Sequence, residues 1–235
     1  MNAPFVLMYH SVSSRHPDPH GLCVPPATLA RQLDALRGRG LRGVGVGELM
    51  AAHRAGDSRG LVGLTFDDGY ADFVEAADVL AERGFGATVY VVAGRFGGVN
   101  DWDGQRWPLL SAAGVREVDS RGFEIGSHTL THPHLPQCDP VTLRAEVHDS
   151  RKILEDLLGH EVHGFAHPFG DEDPAVVRAV AEAGYREAVR ADTAPASTAE
   201  HPELTLPRSY AGPGDGPVRL AAKRLRHRIA GRGRA

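Results

Sequence analysis

Three strand-end motifs hold the residue types that could do chemistry. The first is Thr65-Phe66-Asp67-Asp68-Gly69-Tyr70, where the apolar run Leu61–Phe66 ends directly in two carboxylates. Adjacent carboxylates repel, so keeping both ionised calls for a positive charge beside them. A divalent metal supplies one: it takes one carboxylate as ligand and leaves the other free as a base. Gly69 lets the backbone turn sharply at this point. Taken alone, the same residues also read as a plain turn whose aspartates cap the next helix.

The second motif is Ser127-His128-Thr129-Leu130-Thr131-His132-Pro133-His134, again after an expected strand, Phe123–Ser127. Two histidines four apart on a helical turn could share a metal through their imidazole nitrogens, while His134, past Pro133, is expected to point elsewhere. One carboxylate and two imidazoles leave coordination positions open, which suits a catalytic divalent metal better than a closed structural one. A third strand-end segment, Phe165-Ala166-His167-Pro168-Phe169-Gly170-Asp171, contains a Pro–aromatic–Gly turn. Such a turn can aim a backbone N–H at an oxyanion, or can merely reverse the chain.

Elements that alternate in type must position these motifs. Strands are expected at Pro4–Tyr9, Leu61–Phe66, Ala87–Val92, Phe123–Ser127, Val162–His167 and Glu187–Arg190. Helices are expected at Thr28–Arg39, Ala71–Arg83, Pro140–Leu158 and Pro174–Ala183, several closed by glycine. Alternation of this kind argues for parallel strands with crossover helices. The expected fold is α/β, a single-domain, distorted and incomplete (β/α) barrel of about seven parallel strands, with an open doubly wound sheet as the alternative. No linker divides the chain. The catalytic domain is expected over residues 1–217, with a basic C-terminal helix and tail over 218–235.

Composition narrows the partners. The 235 residues include 42% hydrophobic and 24% charged residues, and the net charge of −4 gives no case for nucleic acid. The short apolar run Phe5 to Tyr9 reads as a strand rather than a leader or a spanning helix, so a cytoplasmic location is expected. Cys23 and Cys138 are expected to be free thiols. Val218–Ala235 holds seven basic residues and no acid. It reads as a surface helix docked on the barrel, followed by a frayed Gly-Arg tail, with contact to anionic lipid or nucleic acid as the alternative.

TFDDGY, SHTLTH and HPFG, in this order, resemble the motifs of the polysaccharide deacetylase family, the nodulation-type N-deacetylases of carbohydrate esterase family four. VLMYHSV, the loop Asn100-Asp101-Trp102-Asp103 and the late Leu206-Pro207-Arg208 are similar to that family too. The resemblance runs from about Pro4 to Arg208. It implies a metal-dependent hydrolase that removes an N-acetyl group from an amino sugar or sugar conjugate. Zinc is the implied metal, with cobalt or nickel as alternatives. By the same resemblance Asp67 is the general base, and Asp68, His128 and His132 are the metal ligands. Pro168 and Phe169 form the turn whose Phe169 amide binds the oxyanion, and His10 is a pocket histidine.

Two departures stand out. Many family members carry an arginine that buttresses the base, two residues before the Pro–aromatic–Gly turn; here that position is Ala166. The family's late Leu-x-His, source of the general acid, is matched in spacing only by Leu225-Arg226-His227, inside the basic tail. The proton donor is left open among His10, another pocket histidine and water at the metal. Tyr70 is expected either to line the pocket or to pack beneath the next helix. Trp102 and Trp107 either stack on a sugar ring or anchor a long loop. Opening of a cyclic imide on the same fold, or glycan binding without turnover, are the rival readings.

Overall fold

The computed structural model describes residues 3–15, 18–191 and 200–232. Seven parallel strands follow one another around the sheet in the order β7-β6-β5-β4-β3-β1-β8. They are β1 (Val6–Tyr9), β3 (Leu61–Phe66), β4 (Thr88–Val91), β5 (Glu124–Ser127), β6 (Gly164–Ala166), β7 (Glu187–Val189) and β8 (Ser209–Tyr210). A further short strand, β2 (Arg42–Val44), pairs in parallel with the first half of β3, and β4 pairs with its second half. The helices α1 (Pro26–Arg37), α2 (Val46–Arg54), α3 (Phe73–Ala81), α4 (Ala112–Ser120), α5 (Pro140–Leu158), α6 (Pro174–Glu182) and α7 (Pro217–Arg232) complete the crossovers. This is the distorted (β/α) barrel that the alternation implies.

The period-two alternation of the strands splits the core in two. One set of side chains, including Leu7, Tyr9, Leu64, Phe66, Val89 and Phe165, packs outward under Leu33, Leu80, Val115, Leu154 and Val177 of the helices. The other set, Val6, Val44, Tyr90, Ala166, Val189 and Leu206, fills the barrel interior. Gly126 is required there, because a Cβ at that position would meet the Tyr90 ring at 2.4 Å.

Closure falls to the segment before β8. Leu206 pairs with β7 through a bridge to Val189, and three residues later Ser209 pairs with Leu7 of β1. The chain therefore changes partner between these points, and Arg208 lies in the step. Elsewhere β2, α2 and α4 depart from the expectations. Gly43 lies in β2, Gly45 caps α2 and Gly47 stands in its first turn. Gly45 and Gly47 make room for the Glu124 side chain, whose carboxylate accepts from the Gly47 N–H at 2.9 Å. Cys23 and Cys138 are free. Among the described residues no helix is long and apolar enough to cross a membrane. Residues 233–235 of the expected Gly-Arg tail lie outside the described residues.

Candidate metal and hydrolytic site

All three motifs emerge at the carboxyl ends of their strands, where a (β/α) barrel presents its loops. Asp67 and Asp68 follow β3, His128 follows β5, and the Pro168–Gly170 turn follows β6. Gly69, with φ +69°, packs against Val91, so a side chain there would be both strained and crowded. Four non-glycine residues of the site also take positive φ: Asp68, Thr129, His132 and Phe169. Backbone held in this way costs on the order of 1–3 kcal/mol per residue and persists only where neighbours fix it. The neighbours here are identifiable. Glu146 of α5 accepts from the Leu130 and Thr131 N–H groups and from the Thr131 hydroxyl, and Thr129 Oγ1 accepts from the His132 N–H. Thr129 and His132 thus sit in a braced loop rather than on the helical turn that their spacing suggests.

One oxygen, Asp68 Oδ1, lies 3.5 Å from His128 Nε2 and 3.3 Å from His132 Nε2. The three ligand atoms fall within 4.8 Å of one another, and all three residues are buried. His128 Nδ1–H donates to the Ala166 carbonyl at 2.8 Å, which fixes the tautomer and turns the Nε2 lone pair inward. The Trp102 ring lies over His132 at 4.4 Å, and Phe169 meets its edge at 4.6 Å. Burial disfavours the Asp68 carboxylate, but the two imidazoles outweigh it and hold the carboxyl well below the usual range. When both Nε2 atoms give up their protons, two imidazole nitrogens and a carboxylate oxygen converge as one donor set, which fits a divalent cation.

Asp67 points to a different partner. Arg208 Nη1 and Nη2 each donate to one of its carboxylate oxygens at 2.6 Å, a bidentate pair buried in the barrel. The guanidinium is itself fixed by the Arg190 carbonyl at 3.0 Å and Thr65 Oγ1 at 2.9 Å. Burial pushes the Asp67 carboxyl up, and Arg208 overcomes this, so the group stays ionised. The guanidinium absent at Ala166 is therefore supplied by the closing segment.

His10 follows β1, half-buried, with Nδ1 buried and unpartnered, and its charge acts on both Asp67 and Asp68. His167 is fully buried, donates through Nε2 to the Leu204 carbonyl at 3.0 Å, and is pulled down to about 4 by burial, which keeps it neutral. His227 belongs to the other end of the barrel: its Nε2 meets the Ala3 carbonyl, ahead of β1. β1 therefore lies between His227 and Asp67.

Tyr70 is 2% exposed, as buried as the Asp68 and His128 beside it. Its hydroxyl accepts from Asn100 at 3.1 Å and also meets the Asp68 carboxylate, and its ring packs on Trp107. The two tryptophans divide the expected roles: Trp107 is the buried anchor, and Trp102 covers His132. Pro168 is buried and sets the turn. Phe169 is 43% exposed, and its N–H finds no acceptor among the described residues. His134 comes back to the rim, stacking on Phe169 at 3.9 Å while Nδ1 meets Asp171 at 2.6 Å.

Comparison with known proteins agrees with this arrangement. Residues 54–188, more than half the chain, match the family model described as polysaccharide deacetylase. The chain is 27% identical over 195 residues to "Putative polysaccharide deacetylase YxkH" of Bacillus subtilis, covering 82% of this chain and 66% of that protein. It covers smaller shares of the other curated relatives, such as 33% of a Bradyrhizobium chitooligosaccharide deacetylase, 35% identical over 88 residues. The structure superposes on the Streptococcus pyogenes deacetylase PplD, solved with acetate, at TM-score 0.80 and 26% identity, covering 95% of this chain and 98% of that one. IcaB from Ammonifex degensii gives TM-score 0.76 and 25% identity over 95% and 97%.

Proposed function

Because the chain belongs to the polysaccharide deacetylase family, we propose that it is a metal-dependent N-deacetylase that hydrolyses the acetamide of an N-acetylated amino sugar or sugar conjugate. The observation that carries this reading is the pairing of a buried Asp68–His128–His132 triad with a second carboxylate, Asp67, kept anionic by Arg208. The acetate bound to PplD and the names of the chitooligosaccharide deacetylases support the same chemistry.

Asp68 Oδ1, His128 Nε2 and His132 Nε2 would hold a divalent cation, zinc first, with cobalt or nickel as alternatives, supplying Lewis acidity toward water and the amide carbonyl. Asp67 accepts the proton of the attacking water; its pairing with Arg208 keeps it ionised to do so. The free Phe169 N–H donates to the oxyanion as the carbonyl becomes tetrahedral, a contribution worth about 2.7–4 kcal/mol for one donor. His10, unpartnered and beside the two carboxylates, gives a proton to the leaving nitrogen. Trp102 and Phe169 wall the mouth and offer apolar faces to a sugar ring.

The expected site of action is the cytoplasm, on a small N-acetylated conjugate. The deciding experiment reconstitutes purified protein with zinc, cobalt or nickel and follows acetate release from N-acetylglucosamine oligomers and from monomeric N-acetylated sugar conjugates. Acetate from any of them supports deacetylation. Full metal loading with no acetate from any N-acetylated sugar refutes it and points to glycan binding without turnover.

A further inference from the structure

The outward face of α7 is unlike the rest of the surface. Its inner side is docked: Leu220 is buried, His227 packs on Phe5 at 5.3 Å, and Lys223 pairs with Asp215 at 2.5 Å. Its outer side leaves Val218 80%, Leu225 57% and Ile229 61% exposed, three of the six large exposed hydrophobic residues among those described. At 3.6 residues per turn, positions 218, 222, 225 and 229 fall within about 60° of one another. With Ala222 they make one continuous apolar ridge. Arg219 and Arg226, both exposed, lie along one flank of it. From Val218 onward the sequence holds seven basic residues and no acid, within a chain of net charge −4.

We propose that this face of α7 rests on an anionic lipid surface, with the Val218–Ala222–Leu225–Ile229 ridge in the acyl boundary and the arginines at headgroup height. An apolar ridge bordered by cations on an otherwise acidic protein has the charge and shape complementary to such a surface. A nucleic acid would satisfy the arginines and leave the ridge in water. A second copy of the chain would bury the ridge only by bringing two basic flanks together. α7 starts beside the Gly212–Asp215 turn after β8 and runs to Ala3 at the opposite end of the barrel. Lying flat, it would leave the mouth open sideways, parallel to the lipid surface.

The test is co-sedimentation of the full chain with vesicles of phosphatidylcholine alone and of equal parts phosphatidylcholine and phosphatidylglycerol. The chain is expected to bind the anionic vesicles, to release with added salt, and to leave the neutral ones. The double substitution Leu225→Ser with Ile229→Ser should lower partitioning by at least about tenfold, as should Arg219→Glu with Arg226→Glu. All four residues are exposed and only Arg219 holds a partner among the described residues, donating to the Gly214 carbonyl at 3.1 Å, so the melting temperature should change little. No binding to anionic vesicles overturns the proposal, as does undiminished binding by both double variants. A dimer in light scattering that the serine variant abolishes would assign the ridge to a second copy and overturn it equally. The outcome is independent of whether the site deacetylates.

Discussion

Arg208 grips both carboxylate oxygens of Asp67 at 2.6 Å from the segment that closes the barrel. The pair couples closure of the fold to the protonation state of Asp67, the proposed base. Arg208→Lys keeps the charge and loses the fork, so the Asp67 carboxyl should rise under its own burial. The acid limb of kcat/KM should then move to higher pH, with metal content unchanged. Arg208→Met leaves a buried carboxylate unpaired and should cost roughly 3–5 kcal/mol of stability in denaturant titrations. An unshifted acid limb in the lysine variant would remove Arg208 from any part in tuning Asp67.

Metal binding should be visible without any substrate. Binding to the native state alone, at about 100 times Kd, stabilises by about 2.7 kcal/mol, which raises the melting temperature by roughly 5–10 °C in a chain of this size. His128→Ala and His132→Ala should each abolish this rise, since each leaves Asp68 with one imidazole. A full rise in either variant would place the metal elsewhere.

Trp102 covers the face of His132 and also borders the mouth. Trp102→Ala should raise KM for a sugar substrate several-fold while zinc stoichiometry, measured by elemental analysis, stays at the wild-type value. Loss of metal in this variant would instead make Trp102 a brace for the ligand ring.

At the first residue of β5, at the other end of the strand from the site, Glu124 is pushed up to about 7 from 4.5, by burial first, with the Gly47 N–H opposing and Glu187 adding to the shift. A raised carboxyl gives its full contribution to stability below the unfolded value and loses it as pH rises through the folded one. The wild type should therefore lose melting temperature between about pH 5 and pH 8. Glu124→Gln should flatten that fall by on the order of 5 °C. Parallel pH profiles for the two proteins would contradict an ionisation cost at Glu124.

The parts of the site that were legible in the sequence share one property: each follows directly on the end of an expected strand. Asp67, Asp68 and His128 are the first polar groups beyond β3 and β5, so their strands announce where they emerge. Arg208 gave no such signal. It lies 141 positions from Asp67, and only the switch of pairing from β7 to β1 brings it inward. Ala166 therefore looked like a lost guanidinium when the group had moved to another strand end. Glu146 was equally silent, because its place on an amphipathic helix reads as solvent-facing until the SHTLTH loop is seen folded over it. β2 and α2 escaped because glycines that make room for Glu124 look, in sequence, like chain breaks.

The most direct test of hydrolysis through Asp67 at an Asp68–His128–His132 metal is acetate release per bound metal in wild type and in Asp67→Asn. Asparagine keeps the shape and cannot accept the proton. With metal occupancy equal in the two proteins, turnover should fall by about 10²–10⁴. Equal acetate release per metal would contradict the role of Asp67 as base.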